Sequence, residues 1–270
     1  MLRMARGLLR ESGLDRPAGV GVSFGGPVDF QRKVVLRSLH VPGWEEFALG
    51  DRLAAEFGAP VVIENDANAA ALGEWRFGDF GQPTCLVYYT ISTGIGGGVV
   101  IDGKIYRGAS GVAGELGHVI IDRRGPVCPC GNRGCLESMC AGPAIARRMN
   151  SAMRRYGRTT SRYAPRGATS DSLTAQSVAL AAQAGDAIAR GVYREVADDL
   201  AQGVAAAINV LNPDVVVIGG GVSQAGETLF EPLRRALPRY VFPQALAQVS
   251  VRAAYFTERA GLFGGAALIA

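Results

Sequence analysis

The chain has 270 residues, 48% of them hydrophobic, and a formal charge of only +4, enough for two ordinary domains with a sizeable core. Its basic residues are scattered, with one local group at Arg147, Arg148, Arg154 and Arg155 that reads as a helix face, so the dense cationic stripe of a nucleic-acid binder is missing. No apolar run approaches the ~18 residues of a membrane span, and the Arg-rich start lacks the apolar core and small-residue cleavage site of a signal peptide.

In chain order, Leu2, Leu8, Leu9 and Leu14 with interleaved Arg and Glu predict a short amphipathic helix. Residues 18–27, Ala-Gly-Val-Gly-Val-Ser-Phe-Gly-Gly-Pro, predict a buried strand ending in a tight turn. A helix is expected over 47–57, closed by Gly58. Val61, Val62 and Ile63 form a strand running into Glu64, Asn65 and Asp66, followed by an alanine-rich helix over 67–75. A turn-rich break at 78–83 marks a domain boundary. The expected division is a first domain of 1–83 plus 259–270 and a second of 84–258.

The second half opens with a strand at 85–90 and a glycine loop over 93–98. Segments 99–101 and 104–106 flank Asp102-Gly103, a two-residue hairpin signal. Residues 159–172 read as a polar surface loop, and 175–211 as two long helical patterns. Val215 to Ile218 in sequence form a buried strand leading into Gly219, Gly220, Gly221, Val222 and Ser223. Alternating strands and helices indicate an α/β fold.

The sharpest chemical signal is His118 with Cys128, Cys130 and Cys135. Imidazole and thiolate are the ligands zinc prefers, and four of them close a tetrahedral structural site. Such an ion can supply on the order of ten kcal/mol of folding free energy. The alternative is three buried thiols and an unrelated histidine. The five cysteines make no even disulfide set, which favours a reducing, cytoplasmic setting. Cys85 and Cys140 read as core residues.

Glu115-Leu-Gly-His118 followed by Cys128-x-Cys130-Gly-x-x-Gly-Cys135-Leu-Glu137 resembles the paired consensus of ROK proteins (repressors, open reading frames and kinases). The resemblance runs from about Gly19 to the C-terminus. It implies an actin-like ATPase (ribonuclease H-like) fold of two α/β domains around a cleft. It also implies ATP-dependent phosphorylation of a hexose, glucokinase-like, at the 6-hydroxyl, with structural zinc and with Mg²⁺ accompanying ATP. By the same resemblance Asp66 is the catalytic base, and Gly26, Asn65, Glu115, His118 and Glu137 bind the sugar. His118 would give one ring nitrogen to zinc and the other to a hydroxyl. Thr93, Gly94, Gly96 and Gly97 correspond to a phosphate loop, and Gly219, Gly220 and Gly221 to an adenosine loop. A closing helix over 261–267 packs back on the first domain, and homo-oligomers are common among family members.

Local chemistry leaves alternatives. Asp66 just before Ala67 is also a good helix N-cap. Glu115 and Glu137 could be solvated acids. The stretches around Gly25-Gly26 and Pro42-Gly43-Trp44, which resemble sugar-side loops, could be plain turns. The family's opening Asp-x-Gly-Gly-Thr loop is not found here. The expectation is therefore a first domain without its N-terminal strands and impaired transfer. A mis-assigned start, a genuine fragment and a sugar-sensing regulator or inactive sugar binder are the explanations that compete.

Overall fold

The computed structural model describes residues 2–38, 41–157 and 173–270. The expected surface loop at 159–172 lies outside the described residues. Among the described residues no helix is long and apolar enough to cross a membrane.

The first part is small. Helix α1 (Leu2–Glu11) lays Leu2, Ala5 and Leu9 on an apolar cluster made by Val35, Leu49, Leu53, Phe57, Val61 and Ile63, and leaves Met4 and Leu8 in water. Leu14 falls beyond its end. Strand β1 (Val20–Phe24) pairs in parallel with β4 (Val61–Asn65), with Phe24 opposite Asn65. The expected buried strand is half-buried at every position, because β4 is its sole partner among the described residues. Strands β2 (Val28–Asp29) and β3 (Val34–Val35) form a short hairpin. Helix α2 (Leu49–Phe57) starts two residues later than expected because Phe47 pairs its backbone with Val35. Gly58 closes it in the left-handed conformation, as a C-terminal glycine does.

Helix α3 (Asp66–Phe77) is the hinge of the layout, with Ala67, Ala69, Ala70 and Ala71 buried. One face meets the larger sheet and another meets α10 (Ala260–Ala267). Small residues make this approach possible. A Cβ on Gly73 would lie 2.7 Å from the Gly264 nitrogen, and one on Gly264 would lie 2.5 Å from the Ala69 carbonyl carbon. Strand β1 joins the same contact: a Cβ on Gly21 would sit 1.8 Å from the Gly265 oxygen. Overpacked interiors lose stability. Gly21→Ala should therefore lower the unfolding free energy by about 1–3 kcal/mol, read as a lower urea midpoint.

The larger sheet has the order β7-β6-β5-β8-β9. It comprises β5 (Cys85–Ile91), β6 (Ile95–Ile101), β7 (Lys104–Ile105), β8 (Val215–Gly219) and β9 (Ser250–Ala253). The β5–β8 and β8–β9 pairs are parallel, whereas β5–β6–β7 is an antiparallel meander. Asp102 and Gly103 both have positive φ, 49° and 72°, as a primed two-residue hairpin requires. One face of this sheet is covered by α4 (Leu136–Cys140), α5 (Gly142–Arg155), α6 (Ala175–Gln183) and α7 (Ala187–Leu211), with α8 (Glu227–Ala236) and α9 (Pro243–Leu246) beside them. Helix α7 buries Val192, Val196, Leu200, Val204 and Ile208 along one stripe. Asp186 caps its start by accepting from the Ile188 and Ala189 amides. Cys85 and Cys140 are core residues, as expected. The arginine cluster lies on α5, where Arg148 pairs with Asp199 and Arg147 donates to the Ser138 carbonyl.

Candidate active site

Strand β4 delivers Glu64, Asn65 and Asp66 to one point. The helix cap that local chemistry offered as the alternative role of Asp66 belongs to Asn65: its side-chain oxygen accepts from the Ala67 amide at 3.0 Å and the Asn68 backbone amide at 3.3 Å. The reason is geometric. Asn65 keeps extended backbone (φ −58°, ψ 145°) while Asp66 already starts the helix, and capping belongs to the last non-helical residue. Asp66 is thus relieved of the cap, although its carboxylate accepts from the Ala67 amide at 2.9 Å and also interacts with its own backbone and the Asn65 side chain. Its side chain is open to water, yet enough protein surrounds it that desolvation raises its pKa above the ordinary carboxylate value, against hydrogen bonds that lower it.

The glycines after β1 lie beside this carboxylate. A Cβ on Gly25 would be 3.4 Å from Asp66 Oδ2, and the Asn65 side-chain amide donates to the Gly26 carbonyl at 3.4 Å. Gly26 has φ of 154° and is hemmed in by the Phe24 ring and the Arg37 carbonyl. Phe24 stacks on Trp44 and Trp44 on Phe47, at 6.1 and 4.6 Å between ring centres. The loop carrying Pro42 and Gly43 is thereby held to the end of β1.

His118, Cys128, Cys130 and Cys135 come together, with one ligand atom from each lying within 4.8 Å of all the others. Cys130 and Cys135 sulfurs are 3.7 Å apart, and Cys128 Sγ is 3.7 Å from His118 Nδ1. Tetrahedral zinc with ~2.3 Å Zn–S bonds has ligand–ligand edges of about 3.8 Å, so the donor set fits that ion. Backbone bonds shape the knuckle: the Gly131 amide donates to the Cys128 carbonyl and the Cys128 amide to the Asn132 carbonyl. Gly134, at φ 69°, leaves no room for a side chain, since a Cβ would lie 1.5 Å from the Asp122 oxygen.

The two ring nitrogens of His118 divide their neighbours. Nδ1 faces the thiols, while Nε2 lies 3.6 Å from Glu115 Oε2. Glu137 links the knuckle to the β5–β6 turn: its Oε2 accepts from the Ile95 amide at 2.9 Å, and Cys128 Sγ lies 3.7 Å from its Oε1. Ile95 in turn begins β6, whose Gly96 faces Ala67, with a hypothetical Cβ 3.2 Å from the alanine methyl. An unbroken run of contacts therefore leads from Asp66 to His118.

The glycine loop expected over 93–98 is a tight turn of Ser92, Thr93 and Gly94, and Gly96, Gly97 and Gly98 lie inside β6. Packing explains the difference: side chains there would strike Ala67, the Gly114 carbonyl and Ala71. Thr93 and Gly221 line a cavity of about 820 Å³ together with Ser92, Gly142, Gln224 and Glu258. Gly94, Gly96, Gly97, Gly219 and Gly220 are not among its lining residues. Gly219 ends β8 opposite Thr90, and Gly220 has φ of 81° against the Ile91 backbone. The cavity wall also draws on the start of α5 and on α6, which the motifs gave no reason to single out. A cavity of several hundred Å³ with convergent polar groups suits a small molecule.

Residues 10–270 match the ROK family. The chain belongs to the ROK family. A glucokinase from Thermotoga maritima is 38% identical over 267 residues, 99% of this chain and 84% of the relative. The structure of a ROK family glucokinase from Streptomyces griseus, in complex with glucose and AMPPNP, is 32% identical and superposes with a TM-score of 0.82, covering 99% of this chain and 86% of that one. A xylose repressor from Caldicellulosiruptor bescii is 32% identical over 93% of this chain and 62% of its own. The fold is accordingly the α/β ROK kinase fold of the actin-like ATPase superfamily.

Sequence motifs did not assign roles to Glu64, Arg107 or Glu74. Glu64 was visible beside Asn65 and Asp66, but its partner Arg107 is 43 residues away. Glu74, fully buried, accepts from the Tyr255 and Phe256 amides at 2.9 and 3.0 Å, and burial raises its pKa.

Proposed function

We propose that this ROK protein phosphorylates a hexose with ATP, glucose being the first candidate and the 6-hydroxyl the acceptor. The observation that carries the reading is the Asp66 carboxylate at the β4–α3 junction, relieved of capping by Asn65 and with desolvation favouring its protonated form. A base of raised pKa can take the hydroxyl proton as that oxygen attacks the γ-phosphate. The sugar would lie against Gly26, Asn65, Glu115, His118 and Glu137. Nucleotide would occupy the 820 Å³ cavity beside Thr93 and Gly221, with Mg²⁺ arriving on the ATP to neutralise phosphate charge. Gly94 would shape the turn into β6 and Gly219 and Gly220 the turn out of β8, while Gly96 and Gly97, inside β6, let that strand pack on Ala67 and Gly114.

We place the domain division at 78–83, with α10 completing the first unit. Its packing on α3 and β1 supports that assignment. Closure of the two units would exclude the water that competes with sugar as phosphate acceptor.

The test is an ADP-release assay across hexoses, run beside calorimetric binding of each sugar. Glucose-dependent ADP release supports the reading. A chain that binds sugar and never turns over belongs instead to the sensing class, which the likeness to a xylose repressor brings in. Gly221 is exposed, and a Cβ there would meet nothing closer than Ser92 Oγ at 4.0 Å. Gly221→Leu should therefore fold normally yet fill part of the cavity, raising the ATP KM by about tenfold, a ~1.4 kcal/mol effect, while hexose affinity stays unchanged.

A further inference from the structure

We infer that Arg107 and Glu64 form a buried latch that holds the loop carrying Glu115 and His118 against the strand end carrying Asn65 and Asp66. Arg107 follows β7 in the larger sheet, and Glu64 belongs to β4. The guanidinium places both Nε and Nη2 2.7 Å from the same oxygen, Glu64 Oε2. The carboxylate is only 3% exposed and the arginine side chain 26%. The guanidinium plane also lies over the Phe30 ring, 4.4 Å from its centre.

Each partner is fixed on its far side to a part of the candidate site. Glu64 Oε1 accepts from the Asn65 amide at 3.0 Å and from the Asn68 side-chain amide at 3.2 Å. One carboxylate thus sets the backbone of the residue that caps α3 and precedes Asp66. The Arg107 carbonyl accepts from the Ala113 amide at 3.0 Å, closing the loop from 107 to 113 at its base. Directly after that closure, Gly114 abuts the Gly97 carbonyl and the chain turns through Glu115 to His118. Among the described residues the buried Asn68 Oδ1 has no hydrogen-bond partner, and the Asn68 side-chain amide donates to Glu64 Oε1.

Buried charge pairs are weak evidence for stability, because desolvation offsets their attraction. A planar fork on one carboxylate fixes relative position far better than a flexible ammonium does. The latch is therefore a positioning device, and its two residues act through Asn65, Asp66, Glu115 and His118. The inference rests on the proposed function, in which Asn65, Glu115 and His118 bind the sugar and Asp66 takes its proton.

The test compares Arg107→Gln, Arg107→Lys and Glu64→Gln with the unsubstituted chain. Three measurements are made: hexose and ATP dissociation constants, amide hydrogen exchange over 113–118, and the thermal midpoint. Arg107→Gln is expected to weaken hexose binding on the order of 10–100-fold, the scale of a small misplacement, with ATP affinity unchanged and faster exchange at 113–118. Arg107→Lys should fall between. Combining Glu64→Gln with Arg107→Gln should cost no more than the worse single change, as residues acting as one unit do. A lower thermal midpoint with hexose affinity and loop exchange unchanged overturns the latch. If the unsubstituted chain binds no hexose, the sugar-kinase reading fails, and the exchange measurement alone decides the latch: unchanged protection at 113–118 in Arg107→Gln overturns it.

Discussion

Asp66→Asn is expected to lower kcat for hexose phosphorylation by about 10²–10⁴-fold, the range attributed to general-base assistance, while hexose affinity changes little. The substitution is nearly isosteric, and Asn can still accept from the Ala67 amide. Asn65, which caps α3, is untouched. A fall in rate would therefore report lost chemistry and not a frayed helix. Desolvation holds the Asp66 pKa above the ordinary carboxylate value, and the base works only when deprotonated. Rate should rise with pH through that raised pKa, and this acid limb should vanish in the variant.

The same shift fixes the sign for stability. A carboxyl whose folded pKa is raised binds its proton more tightly folded than unfolded, so stability falls as pH climbs from the unfolded pKa to the folded one. Asp66→Asn removes that loss. The variant should be at least as stable as the parent at neutral pH, with any advantage disappearing below the ordinary aspartate range. A variant that keeps its turnover within a few-fold, or that melts earlier at neutral pH, would show that Asp66 serves structure and not proton transfer.

Local signals carried the elements well. Gly58 ends α2 and Asp102-Gly103 turns the β6–β7 hairpin because positive φ is a property of single positions, which sequence displays directly. The knuckle was legible for a similar reason: three of its four ligands fall within eight residues, so their convergence needs no tertiary fold. Gly96, Gly97 and Gly98 were expected in a loop and lie in a strand, because glycine serves an open turn and a crowded strand alike. Only the position of α3 and of Gly114 above β6 decides between them. Capping at the β4–α3 junction was shifted by one residue, since Asn and Asp are both good caps and backbone angles, not residue types, say where extension ends. Glu64–Arg107 and Glu74 with 255–256 join distant segments. No periodicity or spacing announces such pairs, which arise only once α3 is placed between two sheets.

Removal of the metal should produce the largest change in structure. The parent chain is expected to copurify with one equivalent of zinc, measured by elemental analysis, and Cys135→Ser and Cys130→Ser should each abolish it. Cys135 is fully buried, and without an ion burial pushes its thiol up to about 12, with Cys128 raised by the same cause. Two buried thiols held in the neutral form and the exposed Cys130 have little to hold them together, whereas a bound structural zinc contributes on the order of ten kcal/mol to folding. Uptake must displace protons, so zinc affinity should weaken as pH falls. The damage should not stay local. Glu137 spans from Cys128 to the Ile95 amide, and Ile95 opens the strand whose glycines seat Ala67 of α3. Chelation should therefore raise amide exchange at 92–96 as well as at 126–136, and weaken hexose binding even where the core helix α7 stays protected. Full hexose affinity in a chelated, zinc-free chain would separate the knuckle from the sugar site and leave it as a local staple.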